Sequence, residues 1–375
     1  MSDYILYNAT VTVLSPLHIG SGRDLLNDYD YAIHDKQTWR INENAWLDAQ
    51  DTDDPALMAQ LEQIPPAQLL ALQDFQPGSP FFRYVIRGTP RAKGEGAQVR
   101  EQLKDVYDRP YLPGTSLKGA LRTAIGWIAW EKLRLRPERA NLGRNRQFAA
   151  QWYEQEIFSE HGGKAPNKDT MRALQVGDSA PVSAEQLMIV NVRVMNRGGT
   201  LGSPIEVEAL RPDTVFELPI KLDLALFSEW ARANDLHLRG ERVLQDLPAT
   251  VQQYTTARLA QEVNWLAQIP NTDKVATFYR HLQQSQLGNA AFIMQLGWGT
   301  GWENKTFGSH LQADANFMEG LINDYRLARG KRKSGDPFPK SRRVLVQVRR
   351  DQDGRVVEIP HSPLGWVLVE FGSKR

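Results

Sequence analysis

The 375-residue chain contains no cysteine. That excludes disulfides and thiolate metal sites and agrees with a reducing, cytoplasmic compartment. No hydrophobic run approaches the roughly 20 residues needed to cross a bilayer, so no membrane partner is expected. Met1-Ser2-Asp3-Tyr4 lacks the basic and apolar regions of a signal peptide. The seven histidines are scattered without a His-x-x-x-His pair, so no metal or other cofactor is expected. Net charge is only +1, which excludes a generic polycation. The length suits two ordinary domains.

Charge is nevertheless unevenly placed. Asp48, Asp51, Asp53 and Asp54 form an acidic cluster. Between residues 326 and 355, Arg326, Arg329, Lys331, Arg332, Lys333, Lys340, Arg342, Arg343, Arg349, Arg350 and Arg355 face only Asp336, Asp351 and Asp353. A local basic field on a near-neutral chain points to one polyanion-binding surface. A solvated loop suits residues 330–335 better. Arg342-Arg343, by contrast, opens a strand and would be held rigidly.

The densest signal is Leu296-Gly297-Trp298-Gly299-Thr300-Gly301-Trp302-Glu303-Asn304-Lys305. Three glycines at alternate positions expose consecutive backbone N–H groups and let the main chain lie against a phosphate backbone. Trp298 and Trp302 offer faces for base stacking. Ser309-His310-Leu311-Gln312 has the form of a capping box, and Leu311, Ala315, Met318, Ile322 and Tyr325 continue at helical spacing. A glycine loop feeding a helix N-terminus is an anion-site pattern. A tight connection without a ligand explains the same residues equally well.

Along the chain, Tyr7, Ala9, Val11 and Val13 alternate with polar residues as a half-buried strand. It runs into Ser15-Pro16-Leu17-His18-Ile19-Gly20-Ser21-Gly22, whose His18 is open to an acid–base or a structural role. Residues 40–110 read as an irregular insertion. Tyr111-Leu112-Pro113-Gly114-Thr115-Ser116-Leu117-Lys118-Gly119 is a turn capped by Thr115 or Ser116, entering a helix with Leu117, Leu121, Ile125 and Ile128 on one face. Lys118 and Arg122 share a neighbouring face near its start, where cations and N–H groups could meet phosphate or simply shield apolar surface. Strands are expected at 187–196 and 216–224, helices over 250–285 with a stop at Pro270, and β-structure over 344–371. The mixture, without regular βαβ repetition, favours an α+β fold.

Gly114–Gly119 lacks the Gly-Lys-Ser/Thr of a P-loop, and Gly297–Gly301 lacks dinucleotide-binding spacing. Neither supports nucleotide hydrolysis or redox chemistry.

Together, residues 15–22, 111–124, 297–301, Pro337-Phe338-Pro339-Lys340-Ser341-Arg342-Arg343 and Pro363-Leu364-Gly365-Trp366-Val367 resemble the RAMP superfamily of CRISPR proteins. In order and length they resemble its type III-A branch, the fifth Csm subunit. The resemblance implies tandem ferredoxin-like (RRM-like) domains with insertions and a Gly-rich loop: residues 1–200, with the insertion at 40–110, and residues 201–375. It implies a non-catalytic, RNA-binding subunit that contacts the 3′ portion of the crRNA. Other Csm complex subunits, the repeated backbone subunit above all, are the implied neighbours, with host nucleases as further partners in crRNA maturation. The RNA-contact candidates carried over by motif are His18, Lys118, Arg122, Gly297, Trp298, Gly299, Thr300, Gly301, Lys305, Arg342 and Arg343. Two enzymatic alternatives stand beside this: a metal-independent RAMP endoribonuclease with His18 as acid/base, and a metal-dependent target nuclease using Asp24, Asp28 or Asp30.

Overall fold

The computed structural model describes residues 3–50, 53, 55, 59–60, 63–92, 94, 96–159, 166–328, 332–350 and 352–372. Asp51 and Asp54 of the acidic cluster, Arg329 and Lys331 of the basic run, and Asp351 lie outside the described residues.

Two sheets form a mixed α+β architecture. The first has five strands around β1 (Tyr4–Val13). Its alternation works as expected: Tyr7, Ala9, Val11 and Val13 are buried. β1 pairs antiparallel with Val215–Asp223 on one side and Trp366–Phe371 on the other. Leu174–Val176 and Ala291–Gln295 complete the edges. The second sheet has nine strands, β2 (Gly20–Leu26), β3 (Tyr31–His34), β4 (Gln37–Ile41), β5 (Phe82–Arg87), β6 (Gln98–Gln102), β8 (Leu187–Asn196), β9 (Leu201–Leu210), β12 (Ser341–Arg350) and β13 (Val356–Ser362). In chain order the strands of the first sheet are therefore β1, β7, β10, β11 and β14.

Five helices of eight or more residues lie among the described residues: α1 (Gly114–Lys132), α2 (Gln151–Phe158), α3 (Leu247–Leu266), α4 (Asp273–Gln284) and α5 (Ala315–Asp324). α1 presents Leu117, Leu121, Ala124, Ile125 and Ile128 to the core, each large aliphatic group contributing about 1.5–3 kcal/mol by burial. α1 and α3 pack together over the first sheet. The first sheet runs in the order β11-β14-β1-β10-β7, each neighbouring pair antiparallel.

Three expectations change. The division at residue 200 falls in the turn of the β8–β9 hairpin, and both sheets take strands from either side of it. Long-range strand pairing, invisible to local periodicity, decides this. The supposed irregular insertion supplies β5 and β6: Tyr84, Ile86 and Val99 alternate into the core over runs too short to stand out. Neither Thr115 nor Ser116 caps α1, since Asp178 accepts from the Gly114 N–H at 2.7 Å instead. Among the described residues no helix is long and apolar enough to cross a membrane.

Candidate nucleic-acid interface

Three of the turn motifs meet in space. The Trp298 N–H donates to the His18 carbonyl (2.8 Å), Gly365 to Pro16 (2.9 Å) and Leu296 to Gly365 (2.7 Å). Gly297 and Gly365 hold φ of +76° and +80°. A Cβ on Gly297 would overlap the His18 carbonyl, and one on Gly365 the Leu296 carbonyl. Only glycine lets main chain approach main chain so closely. Gly301, at φ +84°, has open space where a Cβ would point. The loop is therefore pinned at one end and open at the other. Asn304 closes it, donating to Gln295 Oε1 (2.6 Å) and the Thr300 carbonyl (2.9 Å), while its Oδ1 accepts from Tyr254 and Arg258.

Trp298 is the centre of what this scaffold presents. The centre of its half-buried indole lies 5.0 Å from the Arg100 guanidinium and 4.8 Å from that of Arg343. Contacts of this kind contribute about 0.5–1 kcal/mol each at exposed sites. The His18 ring meets the indole edge-on, 5.8 Å away at 89°. Lys305 is exposed nearby, and its pKa is held below the ordinary lysine value first by surrounding protein and then by the charge of Arg343. An aromatic face flanked by cations suits a base and its phosphates.

His18 stands behind this surface rather than on it. It is 2% exposed, and its Nδ1 lies 2.7 Å from the Glu208 carbonyl, which can only accept. Nδ1 therefore carries the proton. Burial pushes its pKa down to about 4, with Arg100 and Lys104 adding to the fall. The ring is uncharged at neutral pH and braces Trp298.

Arg342 is also drawn inward, its side chain 13% exposed. It donates to Glu262 (2.9 Å) and pairs with Glu303 (2.9 Å), and its guanidinium covers Trp265 at 4.6 Å. Arg258 joins the same cluster, 2.9 Å from Glu262 and 3.8 Å from Glu303. Burial raises the Glu262 pKa, yet the two guanidiniums outweigh it and hold the carboxyl below its usual value. Thr300 is buried. The Trp302 ring packs over Gly308 and edge-on to Phe338 at 5.1 Å, so it is not a free stacking face.

Lys118 and Arg122 do share the flank of α1, but the helix start is already satisfied by Asp178. Arg122 pairs with Asp169 (2.8 Å) and Glu154 (3.3 Å). Lys118 is half-buried, its pKa lowered by burial against the pull of Asp169. The Ser309 hydroxyl does not cap a helix; it accepts from Trp127 Nε1 at 2.6 Å, and Asp314 caps α5. Elsewhere in the basic run, Arg332 is tied to Glu319 at 2.7 Å. Among the aspartates, Asp30 is buried against Arg40 and Arg23.

Sequence reading missed Arg100. It lies in the stretch read as irregular, and only the outward phase of β6 beside buried Val99 marks it. It also missed Glu208, whose buried carboxylate accepts from Tyr84, the Gln102 N–H and Lys104 beneath His18.

The RAMP superfamily profile matches residues 10–304. Over 218 residues the chain is 27% identical to the CRISPR system Cms protein Csm5 of Mycobacterium tuberculosis, covering 56% of this chain and 52% of that protein. It is 26% identical over 135 residues to the protein of the same name from Streptococcus thermophilus, covering 35% of this chain and 36% of that one. The matches thus span about half, or less, of these curated relatives. A chain in the cryo-EM structure of a Csm-crRNA-target RNA ternary complex of a type III-A CRISPR-Cas system superposes with a TM-score of 0.72 at 24% identity, over 97% of this chain and 100% of that one. The crystal structure of T. onnurineus Csm5 gives 0.61 at 22% identity, over 96% and 99%. Likeness at these identities shows a shared fold.

Proposed function

The chain belongs to the RAMP superfamily, and from that premise we propose that it is a non-catalytic RNA-binding subunit of a type III-A CRISPR effector ribonucleoprotein. In this reading it contacts the 3′ portion of the crRNA, caps the filament of repeated backbone subunits and supports crRNA maturation in antiviral defence. The observation that carries the reading is the grouping of the Arg100 and Arg343 guanidiniums around Trp298, on a loop whose glycines fasten it to the 15–18 and 363–366 turns. The working surface is Trp298, Arg100, Arg343, Lys305 and the open backbone at Gly301, with Gly299 against Leu364 beneath it and Lys118 and Arg122 as further candidate contacts on α1. Gly297, His18, Thr300 and Arg342 support it from behind. Such a surface grips backbone and stacks bases without reading their identity.

The test is guide RNA retention by the assembled complex as salt is raised. Trp298→Ala should weaken retention about 5- to 150-fold, the equivalent of roughly 1–3 kcal/mol for one stacked base. Lys305→Ala should flatten the slope of log affinity against log salt by about 0.7, one phosphate contact on a single strand. Full retention with an unchanged slope in both variants rejects the reading.

The ribonuclease alternative is less well supported, because an uncharged, buried His18 cannot serve as a general acid at neutral pH without rearrangement. Cutting of repeat RNA in EDTA that is lost on His18→Ala would reinstate it.

A further inference from the structure

A cleft of about 360 Å³ opens between α1, α2 and the segment 302–327, at the small end of the range for ligand pockets. Trp130, Tyr153, Phe158, Trp302, Phe307 and Tyr325 line it. These walls are fixed by their own packing: Trp130 lies 4.8 Å from Tyr153 and 5.6 Å from Phe307. Arg122, Arg146, Lys305 and Glu154 add charge. Arg122 is engaged by Asp169 and Glu154 and covers the Phe158 ring at 3.8 Å. The positive charge left to meet an anion is that of Arg146 and Lys305, both exposed and without an ion pair among the described residues.

Aromatic walls suit a heterocyclic base, and the two cations suit its phosphate. Lys305 also joins this cleft to the Trp298 surface, since the same ammonium feels Arg343. A partner protein's aromatic side chain would fit the walls but carries no phosphate for the two cations to pair with. We propose that the cleft holds one unstacked nucleotide of the bound RNA strand, its base inward and its phosphate toward Lys305 and Arg146. This rests on the RNA-binding reading above and adds a second, separate contact to it.

The experiment uses the assembled complex with 5-iodouridine placed at successive guide positions, irradiated, and the crosslinked peptides sequenced. One position should crosslink to the cleft, at Trp302, Tyr153 or Tyr325, and a different one to Trp298. Thr123→Phe fills the cleft. Thr123 lines it and its hydroxyl donates only to the Gly119 carbonyl, so the change orphans no buried group. Ala150→Phe fills the same space from the N-cap of α2 and serves if the first variant fails to assemble. Either should reduce the cleft crosslink at least tenfold and leave the Trp298 crosslink in place. Trp298 crosslinks without any cleft crosslink overturn this inference and leave the function standing, whereas loss of both overturns the function. An undiminished cleft crosslink in assembled complexes of both filled variants also overturns it. Saturable binding of adenosine monophosphate by the isolated chain, seen in tryptophan fluorescence without a cleft crosslink, overturns it in favour of a free nucleotide.

Discussion

Replacing Glu262 with glutamine should destabilise the protein by about 3 kcal/mol. The side chains of Arg258, Glu262, Glu303 and Arg342 are 1%, 3%, 8% and 13% exposed. Two carboxylates there offset two guanidiniums. In Glu262→Gln both guanidiniums must share Glu303, which sits 2.9 Å from Arg342 but 3.8 Å from Arg258. Breaking a buried pair by removing one partner costs about 3–5 kcal/mol. Glutamine keeps the volume and one acceptor, which puts the cost at the lower end. Removing Arg258 as well, as Arg258→Met, returns the cluster to one charge of each sign. The double variant should then lose at least about 1 kcal/mol less than the two single losses combined. Urea unfolding reads this as midpoint shifts at unchanged slope. A single loss under about 1 kcal/mol, or strict additivity, would refute the view that this cluster anchors the Glu303 end of the glycine loop.

The loop glycines should differ in tolerance. Gly297→Ala combines a left-handed backbone with overlap of the His18 carbonyl, whereas Gly301→Ala carries the backbone strain alone; thermal unfolding should show the former losing about 2–3 kcal/mol or more and the latter about 1–2, and equal losses would contradict the pinned-end geometry. His18 makes stability depend on pH. Its pKa is lowered in the fold, from 6.5 to about 4, so the unfolded chain takes up the proton first. Stability is complete above about pH 6.5 and falls by about 3 kcal/mol as pH drops toward 4. His18→Gln should flatten that part of the profile, and identical profiles would contradict a buried neutral imidazole.

What could be read from the sequence was mostly local. Alternation marked β1, β8 and β10, and the stop at Pro270 separated α3 from α4, because each pattern reflects burial along a single element. The glycine loop, the His18 turn and the Gly365 turn were visible as separate segments; that they bond to one another was not, since hydrogen bonds between residues hundreds of positions apart leave no periodic trace. The same limit explains Arg342 and Arg343. Adjacent and alike in sequence, they point to opposite sides of β12, one into the Glu262–Glu303 cluster and the other over Trp298. Arg100 was lost with the short strands of the second sheet, whose pairing is set entirely by distant partners.

The most direct measurement is a structure of this chain assembled with its guide RNA and neighbouring subunits. A guide nucleotide should lie in van der Waals contact with the Trp298 indole, with a phosphate beside Arg343 or Lys305. A Trp298 face covered by protein, with the RNA running elsewhere, would contradict it.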